Sequence, residues 1–391
     1  MMNYIVGIGE ILWDMLPEGK QLGGAPANFA FHASQAGMHG IVLSAIGFDS
    51  LGAETYDMLV KLDLDNILID SDLPTSTVNV AIDANGIPHY EITENVAWDE
   101  LAFVRSFKEI AEEASAACFG TLAQRSKMSH DAIHAFLRAM PDGSLKVFDI
   151  NLRQNYYSKD IIEESLRIAN VLKLNDEEIE TLTPMLNLGD DGYEARCRQI
   201  IDSYNLKLVV LTCGANGSYV FAADGESSFL PTPKVKVVDT VGAGDSFTAT
   251  FVASLVKGET IAEAHKKAVD VAAFVCTKHG AMPKDRGFFQ QFTEQNRHNS
   301  PNKNQTIQRT KSQQLTERDP NNSPKIWLNS CFTENKALSL HPQFLRYEKL
   351  QTQNRRQFIK PKTTRQRGCS DRRTQVVWQN HYRQTIVQKF P

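Results

Sequence analysis

Three observations predict an α/β domain, with a mostly parallel sheet between two layers of helices and a small separate β lid. Short apolar runs alternate with amphipathic stretches through residues 1–292, the pattern of βα repeats that fold into a sheet covered on both faces. Residues 76–92, "STVNVAIDANGIPHYEI", instead alternate apolar and polar around Asn85-Gly86. That is a hairpin signal, which a series of crossovers does not need. Finally, 22 of the 23 glycines precede residue 293, so the turns that a compact fold requires are confined there.

Taken in order, "YIVGIG" (4–9) opens the sheet and "EILWDMLPEG" (10–19) leaves it toward the lid. "APANFAFHASQAG" (25–37) reads as a helix with Gly37 as its C-cap. "IVLSAIG" (41–47) is the next strand. The ribbon at 76–92 joins the earlier excursion, giving a lid over about 10–20 and 72–96; an edge hairpin of the main sheet is the alternative. "AACFG" (116–120), the helix "SHDAIHAFLRAM" (129–140), "LKVFDI" (145–150), "VLKL" (171–174), "LVVLT" (208–212) and "SYVFA" (218–222) continue the series. "VKVVD" (235–239) is then predicted as a strand that runs through a tight loop into a helix beginning near Ala243.

Charge divides the chain in two. Residues 1–292 hold 23 Lys+Arg against 40 Asp+Glu, whereas 293–391 hold 19 against 6 and are dominated by Asn, Gln, Thr, Lys and Arg. The second part has no helical or strand periodicity, and too few apolar side chains to offset its ordering entropy. We expect one large domain over 1–292 and a basic, low-order extension over 293–391, either a dispensable tail or an aberrant one. A basic segment raises the prospect of nucleic-acid binding. Its charges are scattered, however, and no nucleic-acid-binding motif accompanies them, so a nucleic-acid partner is not expected.

The six cysteines form no close pair and no zinc spacing, the N-terminus "MMNYIVGIGE" carries no signal-peptide pattern, and no apolar run reaches membrane-spanning length. A cytoplasmic protein with reduced thiols and no membrane partner is expected.

The chemistry concentrates in "DTVGAGDSFT" (239–248). Gly242, Ala243 and Gly244 open a helix, where small residues admit a ligand to the backbone and free N–H groups favour an anion. The next residue, Asp245, repels an anion but can take a proton from a hydroxyl attacking a phosphoryl group. Asp245 and Ser246 also suit any helix N-terminus, so the tetrapeptide alone leaves both readings open. The stretch lacks the GxxxxGK[ST] of a P-loop, and "GIGE" (7–10) lacks the third glycine of a dinucleotide fingerprint.

Together with "GGAPANFA" (23–30), "DTVGAGDSFTATF" resembles the ribokinase-like (PfkB) family of sugar kinases. The resemblance spans about residues 3–290. It is nearest to bacterial fructokinases through "GEILWDMLPEG", "FDINLRQNYY", "LKLNDEE" and "LTCGANGSYVF". It implies a three-layer ribokinase-like domain with a β lid, and ATP-dependent phosphoryl transfer to a sugar hydroxyl with Mg²⁺. It also implies roles: Asp245 as base, Gly242, Ala243 and Gly244 as anion hole, Asp14 as a grip on sugar hydroxyls, and Gly23, Gly24 and Asn28 as the sugar floor. "NDEE" (175–178) matches an NxxE pattern that implies Mg²⁺ and phosphates held through water by Asn175 and Glu178; an N-cap followed by first-turn acids produces the same letters. Thr212, Gly214 and Gly217 fall at the family's nucleotide loop. Cys213 between them is read as a small core residue. Arg153 aligns with an arginine that reaches substrate or phosphate, or is a solvated surface residue. Asp239 and "KHGAMP" (278–283) resemble a monovalent-cation site, which leaves potassium dependence open. The family's lids frequently pair, so a homodimer is compatible with the sequence.

The stretch "GGAPAN" has no lysine between residues 21 and 31, so a dianionic sugar lacks a partner there and a neutral sugar, fructose first, is favoured. Trp13, Trp98 and Phe103 either wall the sugar pocket or pack at the lid hinge. The rivals are another kinase of the fold, acting on ribose, a nucleoside or a keto-deoxy sugar acid, and a sugar-binding scaffold without turnover.

Overall fold

The computed structural model describes residues 4–16, 19–82, 88–189, 191–285 and 287–288. The Asn85-Gly86 turn and the 293–391 extension lie outside them. The chain begins β1 (Tyr4–Ile8), β2 (Leu12–Leu16), β3 (Gly19–Gly23), α1 (Ala25–Gln35), β4 (His39–Gly47), α2 (Ser50–Leu62), β5 (Asp65–Ser71), β6 (Ser76–Ile82) and β7 (Pro88–Ile92). It continues with α3 (Arg105–Ala111), β8 (Ala114–Phe119), α4 (Lys127–Ala139), β9 (Leu145–Asp149), α5 (Lys159–Ile168), β10 (Val171–Asn175), α6 (Asp176–Met185) and α7 (Tyr193–Tyr204). It closes with β11 (Leu208–Thr212), β12 (Ser218–Ala222), β13 (Ser227–Leu230), α8 (Ala243–Val256) and α9 (Ile261–Val275).

Nine strands form one sheet in the order β13-β12-β11-β10-β9-β8-β1-β4-β5, parallel except for the β12 and β13 edge. Side chains alternate across it as the strand period of two requires. Val6 and Ile8 enter one buried cluster with Phe107, Ile133, Phe136, Ile162, Ile179 and Ile200. Ile5 enters the other, with Phe29 of α1, Phe247 and Phe251 of α8 and Ala268 of α9. The two clusters are the two interfaces of a three-layer fold. Truncating a fully buried ring such as Phe136 or Phe251 to alanine costs about 3–5 kcal/mol.

A second sheet, β3-β2-β6-β7, stands apart from the first. β2 and β3 are antiparallel, β2 and β6 parallel, and β6 and β7 antiparallel, so both excursions predicted to leave the main sheet meet in one ribbon. The edge-hairpin alternative is set aside. Trp13 anchors this sheet: it is buried among Ile11, Leu22 and Phe31, and its Nε1 donates to Thr55 Oγ1 at 2.9 Å.

The predicted strand at 235–239 is not formed, and the chain from 231 to 240 carries no strand. Pro231 and Pro233 lack the N–H that a ladder needs, Val235, Val237 and Val238 are exposed, and the Val238 N–H donates to the Cys276 carbonyl at 2.8 Å beyond the end of α9 instead of to a strand. Helix α1 ends at Gln35 with Ala36 as its cap, and Gly37 follows in a left-handed turn at φ 79°.

Candidate active site

The irregular approach to α8 is fixed by Asp239. Its Oδ1 accepts the Val241 N–H and its Oδ2 the Gly280 N–H, each at 3.0 Å, which ties the turn to the segment before Ala281. Gly242 caps α8 at φ 75°, and a Cβ there would lie 2.6 Å from Ala281 Cβ, so no larger residue fits. No side chain caps this helix. The Ala243 N–H is not free as the sequence suggested, since it donates to the Thr240 carbonyl at 3.2 Å within the turn.

Asp245 follows in the first turn, half-buried. Its Oδ2 accepts Asn28 Nδ2 at 2.8 Å, joining residues 217 positions apart. Loss of water pushes the Asp245 carboxyl up to about 6, and the charge of Asp149 adds to this. The Asn28 hydrogen bond, Lys173 and Arg153 oppose the rise. A carboxyl poised near neutrality in a cleft suits a proton acceptor.

Helix α1 delivers Asn28 from the floor of the opposite side. Gly24 precedes it at φ 111°, with its missing Cβ 2.5 Å from the Glu10 carbonyl oxygen, so only glycine lets the chain double back there. A Cβ on Gly23 would fall 2.6 Å from Asp14 Oδ2: the Asp14 carboxylate lies over this glycine, at the seam between β2 and β3. Burial raises Asp14, while the Arg153 charge lowers it. Arg153 is exposed and donates to Leu152 O at 3.0 Å and Asn151 Oδ1 at 3.2 Å. Its charge is felt by Glu10, Asp14 and Asp245 together, so the exposed guanidinium stands near the acids of this cleft.

The remaining predicted residues stand on the next strands. Asn175 and Glu178 form a reciprocal capping box, with each side chain accepting the other's N–H at 2.8 Å. Glu178 Oε1 also accepts the Leu152 N–H at 3.1 Å. Thr212 ends β11, Gly214 and Gly217 shape the loop to β12, and the Cys213 N–H closes that loop on the Gly217 carbonyl at 2.8 Å. Cys213 is buried, with its thiol pushed up to about 11 by loss of water, as a core residue should be. Trp98 is fully buried under the Arg125 guanidinium, 4.0 Å from its ring, and Phe103 packs against the same core. Trp13 and Trp98 are therefore packing residues.

Three buried polar residues went unread in the sequence. Glu10 opens the first excursion, just after β1, with a carboxyl pushed up to about 7 by burial, and its Oε2 meets no hydrogen-bond partner among the described residues. Asp149 and Lys173 pair at 3.1 Å on adjacent strands. The available signal was a charge inside an otherwise apolar strand, in "LKVFDI" and "VLKLN". The cleft over these groups is lined by Ala25, Pro26, Cys118, Asp149, Asn151 and Asp245.

Residues 18–286 match the profile of the pfkB family carbohydrate kinases. The chain belongs to that family. A Pyrococcus horikoshii protein described as a sugar kinase is 28% identical over 306 residues, covering 73% of this chain and 94% of its own. Fructokinase-1 of Zea mays is 27% identical over 310 residues, covering 71% and 93%. An Escherichia coli protein described as ribokinase II, solved with ATP and Mg²⁺, superposes with a TM-score of 0.62 at 20% identity, covering 75% of this chain and all of its own. This PfkB protein is thus an ATP-dependent carbohydrate kinase with the ribokinase-like α/β fold. Among the described residues no helix of this PfkB chain is long and apolar enough to cross a membrane.

Proposed function

We propose that the enzyme phosphorylates a neutral sugar, fructose first, at its primary hydroxyl, giving fructose 6-phosphate and ADP. The observation that carries this is the Asp245 carboxylate, held by Asn28 at the N-terminus of an otherwise uncapped helix and raised to about 6. Asp245 takes the hydroxyl proton as the sugar oxygen attacks the terminal phosphorus. The backbone of the Gly242–Gly244 turn faces the charge that develops on the phosphoryl oxygens, with the Ala243 N–H committed to Thr240 until the turn opens to the nucleotide. Asp14 grips sugar hydroxyls over the floor made by Gly23, Gly24 and Asn28, and Arg153 reaches the phosphoryl group from outside.

The choice of a neutral sugar is supported by the absence of Lys and Arg from residues 21–31, which leaves a sugar phosphate without a cationic partner beside Gly23, Gly24 and Asn28. Names of relatives such as Fructokinase-1 support fructose within that class.

Thr212, Gly214 and Gly217 take the nucleotide. Among the described residues no three His, Cys, Asp or Glu converge as a metal cage. Each Glu178 oxygen accepts a backbone N–H and keeps a lone pair for water, so Asn175 and Glu178 fit a hydrated magnesium ion that neutralises phosphate charge. Asp239 with the 278–283 turn is where we assign a potassium ion. Residues 1–292 carry the activity, and removal of 293–391 should leave it intact.

A panel of fructose, ribose, a nucleoside and a keto-deoxy sugar acid with MgATP, read by ADP release and by the position of the new phosphate, tests the reading. Turnover restricted to an anionic sugar, or phosphate on a secondary hydroxyl, contradicts it.

A further inference from the structure

A buried ion pair lies directly beneath the glycine turn and has no part in the roles above. Lys173 and Asp149 are register partners on the adjacent parallel strands β10 and β9. Their side chains meet at 3.1 Å, and the residues are only 5% and 2% exposed. Thr248 Oγ1, one turn into α8, donates to Asp149 Oδ2 at 3.0 Å, so the pair is tied to the helix that the glycine turn opens. A Cβ placed on Gly244 would stand 3.2 Å from Lys173 Nζ: the ammonium abuts the turn itself. Buried ion pairs add little net stability over apolar neighbours, because desolvation consumes the Coulombic gain. A strand that served packing alone is better filled by two apolar residues.

We infer that Lys173 is a positioning residue for phosphoryl transfer: held by Asp149, its ammonium sets a fixed positive charge behind the glycine turn, drawing the phosphoryl group to the turn and keeping Asp245 ionised. The inference rests on the reading of Asp245 as base and of the turn as anion cradle. Lys173 acts through the backbone of Gly244 and does not touch substrate. Low surrounding polarity makes such a charge count for more than one in water. Asp245 is faced by Asp149 from β9, Lys173 from β10, Asn28 from α1, Arg153 from the loop after β9, Glu10 from the start of the first excursion and Cys118 from β8. Among these, Asp149 and Glu10 oppose its ionisation, whereas Lys173 and Arg153 favour it.

The two members of the pair therefore push Asp245 in opposite directions, which a structural role does not produce. In the full-length enzyme, assayed with the sugar that the panel identifies, Lys173→Met should move the acidic limb of kcat/KM to higher pH and Asp149→Asn should move it to lower pH. Lys173→Met should also lower kcat by roughly tenfold or more with sugar KM within about threefold, the split expected when charge stabilisation of the transition state is lost. Lys173→Arg, which keeps the charge, should restore most of kcat. Limbs unmoved in both single variants overturn the inference. The double variant Lys173→Met/Asp149→Asn decides the matter if either single variant is unstable, because it leaves no unpaired buried charge: kcat within twofold of the parent overturns the inference, and so does failure to fold, which makes the pair a stability device. Asp245→Asn with undiminished turnover instead removes the base assignment itself, whatever the lysine variants do.

Discussion

Two helix N-termini in this protein carry an acidic first turn and use it in opposite ways. At α6 the acid is turned inward, where Asn175 and Glu178 cap each other's backbone and Glu178 also holds Leu152. At α8 no side chain caps the helix, the N-cap is a glycine at φ 75°, and the acid is held sideways by Asn28 from another element. The first terminus is satisfied by its own residues. The second leaves its positive end to be met from outside, and it keeps its carboxylate at a pKa where a proton can be taken up and returned. Local sequence is nearly the same kind of signal in both, "NDEE" and "GAGD"; what separates them is which groups the rest of the fold brings alongside.

That contrast is broken most severely by Asp245→Asn. Turnover should fall by roughly a hundred- to ten-thousandfold while sugar and nucleotide still bind, measured by steady-state kinetics and calorimetry. Unchanged turnover makes Asp245 an ordinary first-turn acid of a helix N-terminus. The parent enzyme should lose kcat/KM below pH about 6, by tenfold per unit, as the Asp245 carboxyl takes up a proton.

A smaller effect concerns stability. Glu10, raised to about 7 in the folded state, binds more protons there than in the unfolded chain between its ordinary range and that value. By linkage it destabilises the fold as pH rises through that window and costs nothing well below it. Glu10→Gln should therefore raise the melting temperature at pH 8 more than at pH 4.5, by an amount worth up to about 3 kcal/mol. Equal shifts at both pH values would show that Glu10 is ionised without penalty.

Gly242→Ala probes the glycine cap itself. Its left-handed φ and the contact with Ala281 should cost about 1–3 kcal/mol in unfolding experiments, together with a loss of kcat from a displaced turn. The mildest change is Asn175→Ala, which removes one cap and about 1 kcal/mol, a drop of roughly 2–4 °C in melting temperature. Because Asn175 also stands at the proposed magnesium site, the variant should need more Mg²⁺ to reach the same kcat; an unchanged Mg²⁺ dependence returns Asn175 to capping alone.

The sequence was legible where the physics is local. Strand period, helix period and the paired excursions at 10–20 and 72–96 depend on neighbours a few residues apart, and the four-stranded second sheet follows from them. The exception, "VKVVD", is rich in β-branched residues but has no partner strand to pair with after Pro231 and Pro233. Asp245 and the glycine turn draw attention by their own letters, which fit a plain helix start equally well, whereas Asp14, Gly23 and Asn28 are named only through the resemblance to the PfkB family; the fold sets Asn28 against Asp245 and Asp14 over Gly23.

Composition, the βα rhythm and the two glycine-rich motifs were settled by the chain alone, since each is a property of consecutive residues. Only the folded arrangement decided that Trp13 and Trp98 pack instead of lining a pocket, that Glu178 caps its own helix, and that Glu10, Asp149 and Lys173 gather around Asp245. Burial and charge proximity are made by strand order, and β8, β9 and β10 become near neighbours of the α8 turn through crossovers that no stretch of sequence contains.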